Sequence, residues 1–479
     1  MKTFTINFSE ISKDKYLRND VKYHYFLHIL DWNLFNTNRD TIKLKYILSE
    51  DYNLFDYKDN EEYKGIPTGQ QYLDEDGKII NYQLVTKDEH PGRLKYKISN
   101  DNILISSLRL AKSPALMFEN KDLNNYVFSN GFYIFCVHKN WNKKFVLYIL
   151  RTKKLKKLLD NNLYRGIGIS AYKVEDLLKI KIPKIPKTKQ DKIVSQIEPV
   201  EKEIKNLKSQ IKEPQEIINK VFAREFRFDE ELYYEFGKGM SAGTQFLPER
   251  KLKVFNINFS DLSKSDIFRF STRFHNSPTQ KLMKILDNIK TFKLKNIIIE
   301  PIHRGNNPKY DDNGLIPVIK TNHLKNSYIE LSEEEFVNEG FYQNHLKSQV
   351  KKSDVLLAST GKGSLGKVDI VNFEKKAVVD SHISIIRIDY KVYNPLFLTY
   401  FLRSILGIFQ IERDYTGTTN QIELYSKEIS NFQIPNIPLS HQQKIVDEIK
   451  KELDKQKEMK RKIEKERNKI DEIIEEAIK

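Results

Sequence analysis

A stretch near the middle of this chain returns, almost position for position, close to its end. Residues 182–211 read IPKIPKTKQDKIVSQIEPVEKEIKNLKSQI, and residues 434–463 read IPNIPLSHQQKIVDEIKKELDKQKEMKRKI. The offset is 252: Pro183 becomes Pro435, Pro186 becomes Pro438, Gln190 becomes Gln442, and Lys192-Ile193-Val194 becomes Lys444-Ile445-Val446. Two prolines stop the incoming chain, and a helix is expected to start at once. Thr188 with Asp191, and Ser440 with Gln443, have the spacing of an N-cap and its reciprocal partner. Apolar residues then step by three and four. The first series is Ile193, Ile197, Val200, Ile204, Leu207 and Ile211. The second is Ile445, Ile449, Leu453, Met459 and Ile463, with Gln456 among them, continuing to Ile470, Ile474 and Ala477. Lys and Glu surround both seams, as in a coiled coil. Each helix would be roughly 55–60 Å long at 1.5 Å per residue. A seam of that length must be buried somewhere, and a chain with two can bury one on the other.

The repeat is wider than its helices. Phe4–His24 returns as Phe255–His275, with Asn7-Phe8-Ser9 matching Asn258-Phe259-Ser260. Lys43-Leu44-Lys45 returns as Lys293-Leu294-Lys295, and Phe145, Tyr148, Leu150 and Arg151 return as Phe397, Tyr400, Leu402 and Arg403. Residues 50–140 and 300–390 diverge, sharing an apolar strand (Ile103 to Ile105; Val355 to Leu357) and a β-rich run (Phe132 to Val137; Ile383 to Ile388). Turns are expected at Asp76-Gly77, Asn130-Gly131 and Asn313-Gly314. A period this long excludes a solenoid. It describes two mixed α/β domains, each followed by a long helix. The expected boundaries are 1–187 for the first domain, 188–226 for its helix, 227–253 for a linker, 254–438 for the second domain and 439–479 for the last helix. Gly237–Gly243 is the expected flexible joint. The fold class is α+β: two tandem domains joined by two antiparallel coiled-coil helices, with a pseudo-twofold between the halves.

Over 479 residues, Lys and Arg outnumber Asp and Glu by 81 to 65, a net charge of +16. That surplus predicts a polyanionic partner, nucleic acid before membrane. The single cysteine, Cys136, excludes a disulfide framework and fits a reducing cytoplasm. The first twenty residues are polar and do not resemble a signal peptide. No apolar run approaches the ~18 residues of a membrane span.

A doubled chain with helices between and after its domains resembles the specificity (S) subunit of type I restriction-modification systems. Two segments carry the resemblance, IPKIPKTKQDKIV and IPNIPLSHQQKIV. It implies a non-catalytic subunit needing no cofactor or metal. One domain would read each half of a bipartite DNA target, with the helices setting the spacing. It further implies two methyltransferase (M) subunits as partners, with restriction (R) subunits joining in some assemblies. A type II or modification-only system of the same architecture is an alternative within this class. Pro199 and Pro214 depart from the expected helix and predict a bend or break in it.

Other readings compete with this one. Gly361-Lys-Gly-Ser-Leu-Gly-Lys367 fits both G-x-G-x-x-G and G-x-x-x-x-G-K, which opens an enzymatic reading as a nucleotide-binding or nuclease protein. A nucleotide site needs a helix next, but Val368-Asp-Ile-Val-Asn-Phe373 alternates like a strand, and Val368 stands where Ser or Thr would hold magnesium. Asn394-Pro395-Leu396-Phe397 resembles an adenine-methyltransferase motif, lacks its second proline, and reads better as a helix start. A coiled-coil scaffold with incidental basic charge is a third class.

Base edges and phosphates are met by Arg, Lys, Asn, Gln, Ser and Thr. In the first domain the DNA candidates are Lys64, Thr68, Gln70, Arg93, Ser106, Ser107, Arg109, Lys112, Tyr164 and Arg165. In the second they are Arg304, Asn306, Lys320, Thr321, Asn322, His323, Ser359, Thr360, Lys362, Ser364, Lys367, Tyr415, Thr416, Thr418, Thr419, Asn420 and Gln421. Gln190, Ile193, Ile197, Gln442, Ile445 and Ile449, at the helix starts, are candidates for partner contacts.

Overall fold

The computed structural model describes residues 32–35, 37–69, 71–108, 115–119, 121–164, 171–229, 232, 256–262, 272–275, 277–331, 335–418 and 421–478. Phe4–His24 and the joint Gly237–Gly243 lie outside them. The chain falls into two compact units, one made of Met1–Gln210 with Arg461–Lys479, the other of Ile211–Lys460.

The strands of the first unit begin β1 (Thr41–Lys43), β2 (Leu48–Glu50), β3 (Asn53–Leu54), β4 (Tyr63–Ile66), β5 (Gln83–Val85) and β6 (Leu94–Lys97). They continue β7 (Asn102–Ser106), β8 (Ala115–Met117), β9 (Tyr126–Ser129), β10 (Phe132–Val137) and β11 (Lys181–Pro183). One sheet runs β2-β10-β7-β8, another β3-β6-β9-β4-β5, and β1 pairs with β11. The central strand β7, Asn-Ile-Leu-Ile-Ser, is buried at every position, as a strand covered on both faces must be. The turn at Asn130-Gly131 delivers β9 into β10, as expected. Helix α1 (Lys143–Arg151) is almost wholly apolar along its buried length, and α2 (Lys153–Leu158) follows after one residue.

The second unit repeats this plan. Its strands are β12 (Thr291–Lys293), β13 (His303–Arg304), β14 (Ile316–Ile319), β15 (Phe336–Val337), β16 (Val355–Ala358) and β17 (Val368–Ile370). After them come β18 (Val378–Val379), β19 (Ile383–Ile386), β20 (Thr416–Thr418), β21 (Gln421–Glu423) and β22 (Gln433–Pro435). The order β13-β19-β16-β17 answers β2-β10-β7-β8, and β12-β22 answers β1-β11. β14 pairs antiparallel with β15 and parallel with β18, as β4 does with β5 and β9. The sequences of these middles have diverged, but these pairings are shared, although the first unit's second sheet has five strands and the second unit's three.

The helices are α3 (Lys187–Ser209), α4 (Pro214–Phe226), α5 (Pro395–Arg403), α6 (Ile405–Asp414) and α7 (Leu439–Ile478). The first expected rod is therefore two helices, because Pro214 sits at the start of α4 and cannot continue α3. Pro199 is accommodated inside α3. The second rod has Glu466 where the first has Pro214, and α7 runs unbroken for 40 residues. The capping-box expectation is corrected. α3 opens at Lys187 after Pro186, so Thr188 lies inside the helix, and Ser440 likewise lies inside α7. The Pro186 and Pro438 carbonyls accept the first helical N–H groups, from Lys189 and Gln190 and from His441 and Gln442.

Each seam is buried, but against different material along its length. Ile193, Val194 and Ile197 join the core of the first unit, together with Ile474 and Ile478. Ile445, Val446 and Ile449 join the core of the second, together with Ile218, Val221 and Phe222 of α4. Helix α4 runs antiparallel to the start of α7: Lys212 N–H donates to Gln456 (2.9 Å), Arg224 pairs with Glu448, and Glu225 meets His441. In the first unit Asp76 receives Lys208 and Arg467, while Ile193 lies near Ile473, so α3 and the end of α7 are antiparallel too. Gln456, polar within its seam, thus satisfies a backbone donor freed by the helix break.

The second helical segment of each repeat is assigned to the other repeat's unit. Asn219 of α4 is buried and accepts the N–H of Ile405 (2.6 Å) at the start of α6. Asp471 stands 252 positions after Asn219, and it accepts the N–H of Lys153 at the start of α2.

Candidate nucleic-acid interface

In the second unit the sequence-predicted loops converge. Arg304 at the end of β13 donates to Glu423 Oε1 (3.1 Å) and to the Leu424 carbonyl (3.0 Å), with its guanidinium over the Tyr425 ring. The next residue, Gly305, must be glycine: a Cβ there would lie 2.1 Å from the Val379 carbonyl oxygen. Gly361 N–H donates to the Ile422 carbonyl (3.0 Å), and Thr360 bridges to Glu423. Lys367 Nζ donates to the Thr321 carbonyl (3.2 Å). The segments around 304, 321, 360–367 and 421–425 therefore form one connected surface. Gly417, at φ +95°, lies in the β20–β21 hairpin beside it.

Individual roles differ from the expectation. Ser359 is fully buried and takes a hydrogen bond from Ser384 Oγ (2.9 Å), so it belongs to the core. His323 is buried, and its Nδ1 accepts the Lys320 N–H (3.1 Å). Burial pushes its imidazole below the ordinary histidine range, because a buried ring resists charging. Lys320 is paired with Glu335 (2.6 Å) and lies over Tyr310. Asn306 binds Ser348 through its N–H and its Oδ1. Asn306, Asn322, Lys362, Thr416 and Gln421 are exposed. Thr360, Ser364, Lys367 and Tyr415 are half-buried. Thr418 is placed only as backbone in β20, and Thr419 and Asn420 lie outside the described residues.

Sequence reasoning missed His382. It is exposed, and its Nδ1 lies 2.6 Å from Thr360 Oγ1. Asp380, two residues earlier, is held above the usual carboxylate range by burial. The signal was a short polar turn, Asp380-Ser381-His382, between two apolar strands. Glu423 and Tyr425, which hold the Arg304 guanidinium, were missed as well.

The Gly/Lys loop is a hairpin. Residues 361–367 link β16 to β17, and the next element is strand β17, with no helix. Gly361 and Gly366 take φ of +84° and +86°, which the tight turn requires. Asn394 caps α5, accepting from the N–H groups of Leu396 and Phe397, with Pro395 in the first turn.

In the first unit Thr68, Ser106, Ser107 and Tyr164 cluster about the Asn130-Gly131 turn and the end of β7. Ser107 donates through N–H (2.9 Å) and Oγ (2.8 Å) to the Gly131 carbonyl. A Cβ on Gly131 would lie 2.6 Å from Thr68 Oγ1. Tyr172 donates to the Ser106 carbonyl (2.9 Å), and Tyr164 to the Leu108 carbonyl (3.4 Å). Ser106 and Ser107, DNA candidates from the sequence, are buried. Arg93 is exposed, and its carbonyl accepts the Asn130 N–H. Lys64 lies on β4 with its ammonium over the rings of Tyr82 and Tyr126. Gln70, Arg109, Lys112 and Arg165 lie outside the described residues.

The six partner candidates are corrected by their burial. Gln190 Oε1 accepts the Asn142 N–H (2.7 Å) and its Nε2 donates to the Ile185 carbonyl (2.7 Å). Gln442 does the same with Asn394 (2.8 Å) and Ile437 (2.9 Å). Both glutamines and the isoleucines Ile193, Ile197, Ile445 and Ile449 are buried within the chain itself. Among the described residues no group of three or more His, Cys, Asp or Glu is placed to hold a metal. No helix among them is long and apolar enough to cross a membrane.

Residues 287–468 match the family described as type I restriction modification DNA specificity domain. No curated protein matches the chain. Three solved structures are similar at 13% identity each. One belongs to work on complex assembly and conformational transition of the type I R-M system, covering 92% of this chain and 97% of that chain with a TM-score of 0.44. The HsdS subunit from Thermoanaerobacter tengcongensis covers 92% and 96%, with a TM-score of 0.33. The type I restriction-modification S subunit from M. genitalium covers 93% and 97%, with a TM-score of 0.39.

Proposed function

We propose that this chain, which carries a type I restriction-modification DNA specificity domain over residues 287–468, is a two-headed reader of duplex DNA. The observation that carries the reading is the repeated topology. The sheet β13-β19-β16-β17 lies inside the matched domain, and β2-β10-β7-β8 repeats it in the other unit. If one unit recognises DNA, the other has the same frame with different loops on it. Two such units read two different half-sites, and the helices fix the distance between them.

The chain itself supplies recognition. Chemistry belongs to partners: two methyltransferase subunits, with restriction subunits joining in assemblies that cleave. The segment 361–367 takes part as a hairpin at the reading surface. The protein works in the cytoplasm, where its DNA and its single unpaired cysteine are at home.

The test is quantitative binding of the purified chain to duplex DNA over a salt series. A net charge of +16 and many phosphate contacts predict a steep fall of affinity with salt. Binding that ignores salt, or none at all, defeats the reading. Titration with ATP or S-adenosylmethionine, expected to give no binding, addresses the nucleotide alternative.

A further inference from the structure

We infer that Lys64 and Lys121, arranged about Tyr82 and Tyr126, form with the neighbouring Lys78 a docking site for the phosphate backbone of duplex DNA on the first unit. The inference rests on the DNA reading above and gives it a site. Lys64 is on β4 and faces two aromatic rings, Tyr82 at 5.1 Å and Tyr126 at 5.3 Å. Lys121 faces the same Tyr126 ring at 4.9 Å and Phe118 at 5.8 Å. The register explains the meeting, since β4 and β9 run parallel with Lys64 opposite Tyr126. Tyr82 is 42% exposed, so this face is open to a ligand.

None of the three ammonium groups has an ion-pair partner among the described residues. Burial pulls the Lys121 ammonium below the usual lysine range, and Lys64 and Lys78 push it further in the same direction. Three like charges drawn together without a carboxylate repel one another. The tyrosine faces hold two of them in place and offset part of that repulsion. An anion entering the cluster gains from all three at once. Asp74 accepts the backbone N–H of Lys78, and among the described residues it makes no ion pair with the Lys78 ammonium.

The second unit has no lysine at the matching register position: Pro317 stands where the first unit has Lys64. Lys320 directly follows β14, the counterpart of β4, and also lies over a tyrosine, but it is paired with Glu335 at 2.6 Å. The two heads therefore grip the backbone unequally. The free cluster belongs to the first head, along the same strand that leads to Thr68 and the Gly131 turn. A duplex phosphate is the occupant that charge and exposure favour, because a rigid run of anions matches cations fixed on a sheet.

The full chain carrying Lys64→Gln, Lys78→Gln and Lys121→Gln together is compared with wild type on a random-sequence duplex. The slope of log Kobs against log salt is expected to shrink by roughly 0.9 per lost phosphate contact, about 2.7 in all. Lys87→Gln, at a lysine already paired with Asp59, is expected to leave the slope unchanged. Lysine acetylation of the wild-type chain is the second readout: duplex should protect Lys64, Lys78 and Lys121 but not Lys87. A wild-type slope in the triple variant, or no protection of Lys64 and Lys121, overturns this site and leaves the DNA reading standing. Failure of the wild-type chain to bind duplex overturns both.

Discussion

Gln190 and Gln442 each close two backbone groups, and each does so from the same place in its repeat. Gln442→Ala leaves the Asn394 N–H and the Ile437 carbonyl unsatisfied beside a core. Each such buried group costs about 1–3 kcal/mol, so denaturant unfolding should report a loss of about 2–5 kcal/mol. A loss under about 0.5 kcal/mol would contradict that role. Arg387 gives a second residue-scale prediction. It grips Asp354, which is 1% exposed, with two bonds of 2.7 and 2.6 Å, and also pairs with Glu300. Arg387→Leu strands a buried carboxylate, and about 3–5 kcal/mol of stability should vanish. His323 predicts a pH effect. Its folded imidazole titrates below its ordinary value, while the unfolded chain takes a proton near ~6.5. Stability is therefore present above that pH and lost as pH falls through it. Thermal midpoints should drop more between pH 7 and 5 for wild type than for His323→Gln. The repeated glutamine was visible in the sequence, but its role was not. Its partners lie 48 residues upstream, at Asn142 and Asn394, and only folding brings them together.

Among the elements, the long helices were legible from their apolar period, and their buried seams agree. Their ends were not. The capping box failed because Pro186 and Pro438 already supply the carbonyl that starts each helix, which leaves Asp191 and Gln443 to take the Asn142 and Asn394 side chains instead. The break before Pro214 followed from proline chemistry. The exchange of helical segments between repeats had no sequence signal, because periodicity says that a face is buried and not against what. It predicts where damage appears. Ile474→Ala removes a fully buried side chain from the first unit's core and should cost about 2–5 kcal/mol. Hydrogen exchange should then show faster opening in α1 and β7, with β16 and β19 unchanged. Equal loss of protection in both units would contradict the assignment of this segment.

For the molecule as a whole, the duplication organises everything else. Strands whose sequences share almost nothing, β4 and β14 for example, hold the same pairing. A frame is kept by pattern and volume, so many sequences satisfy it. Exposure in loops depends on their conformation, which is why Ser359 and Ser106, candidates from the sequence, are buried, while His382 and Lys121 were not among the candidates. The central claim is that one chain reads two separated half-sites. Selection of bound duplexes from a random-sequence library, using the full chain, tests it most directly. The account predicts two short defined blocks held apart by a spacer of fixed length and free sequence, with exchange of residues 300–390 for those of a differently specific relative altering one block only. A single continuous motif, or blocks whose spacing wanders, would contradict it.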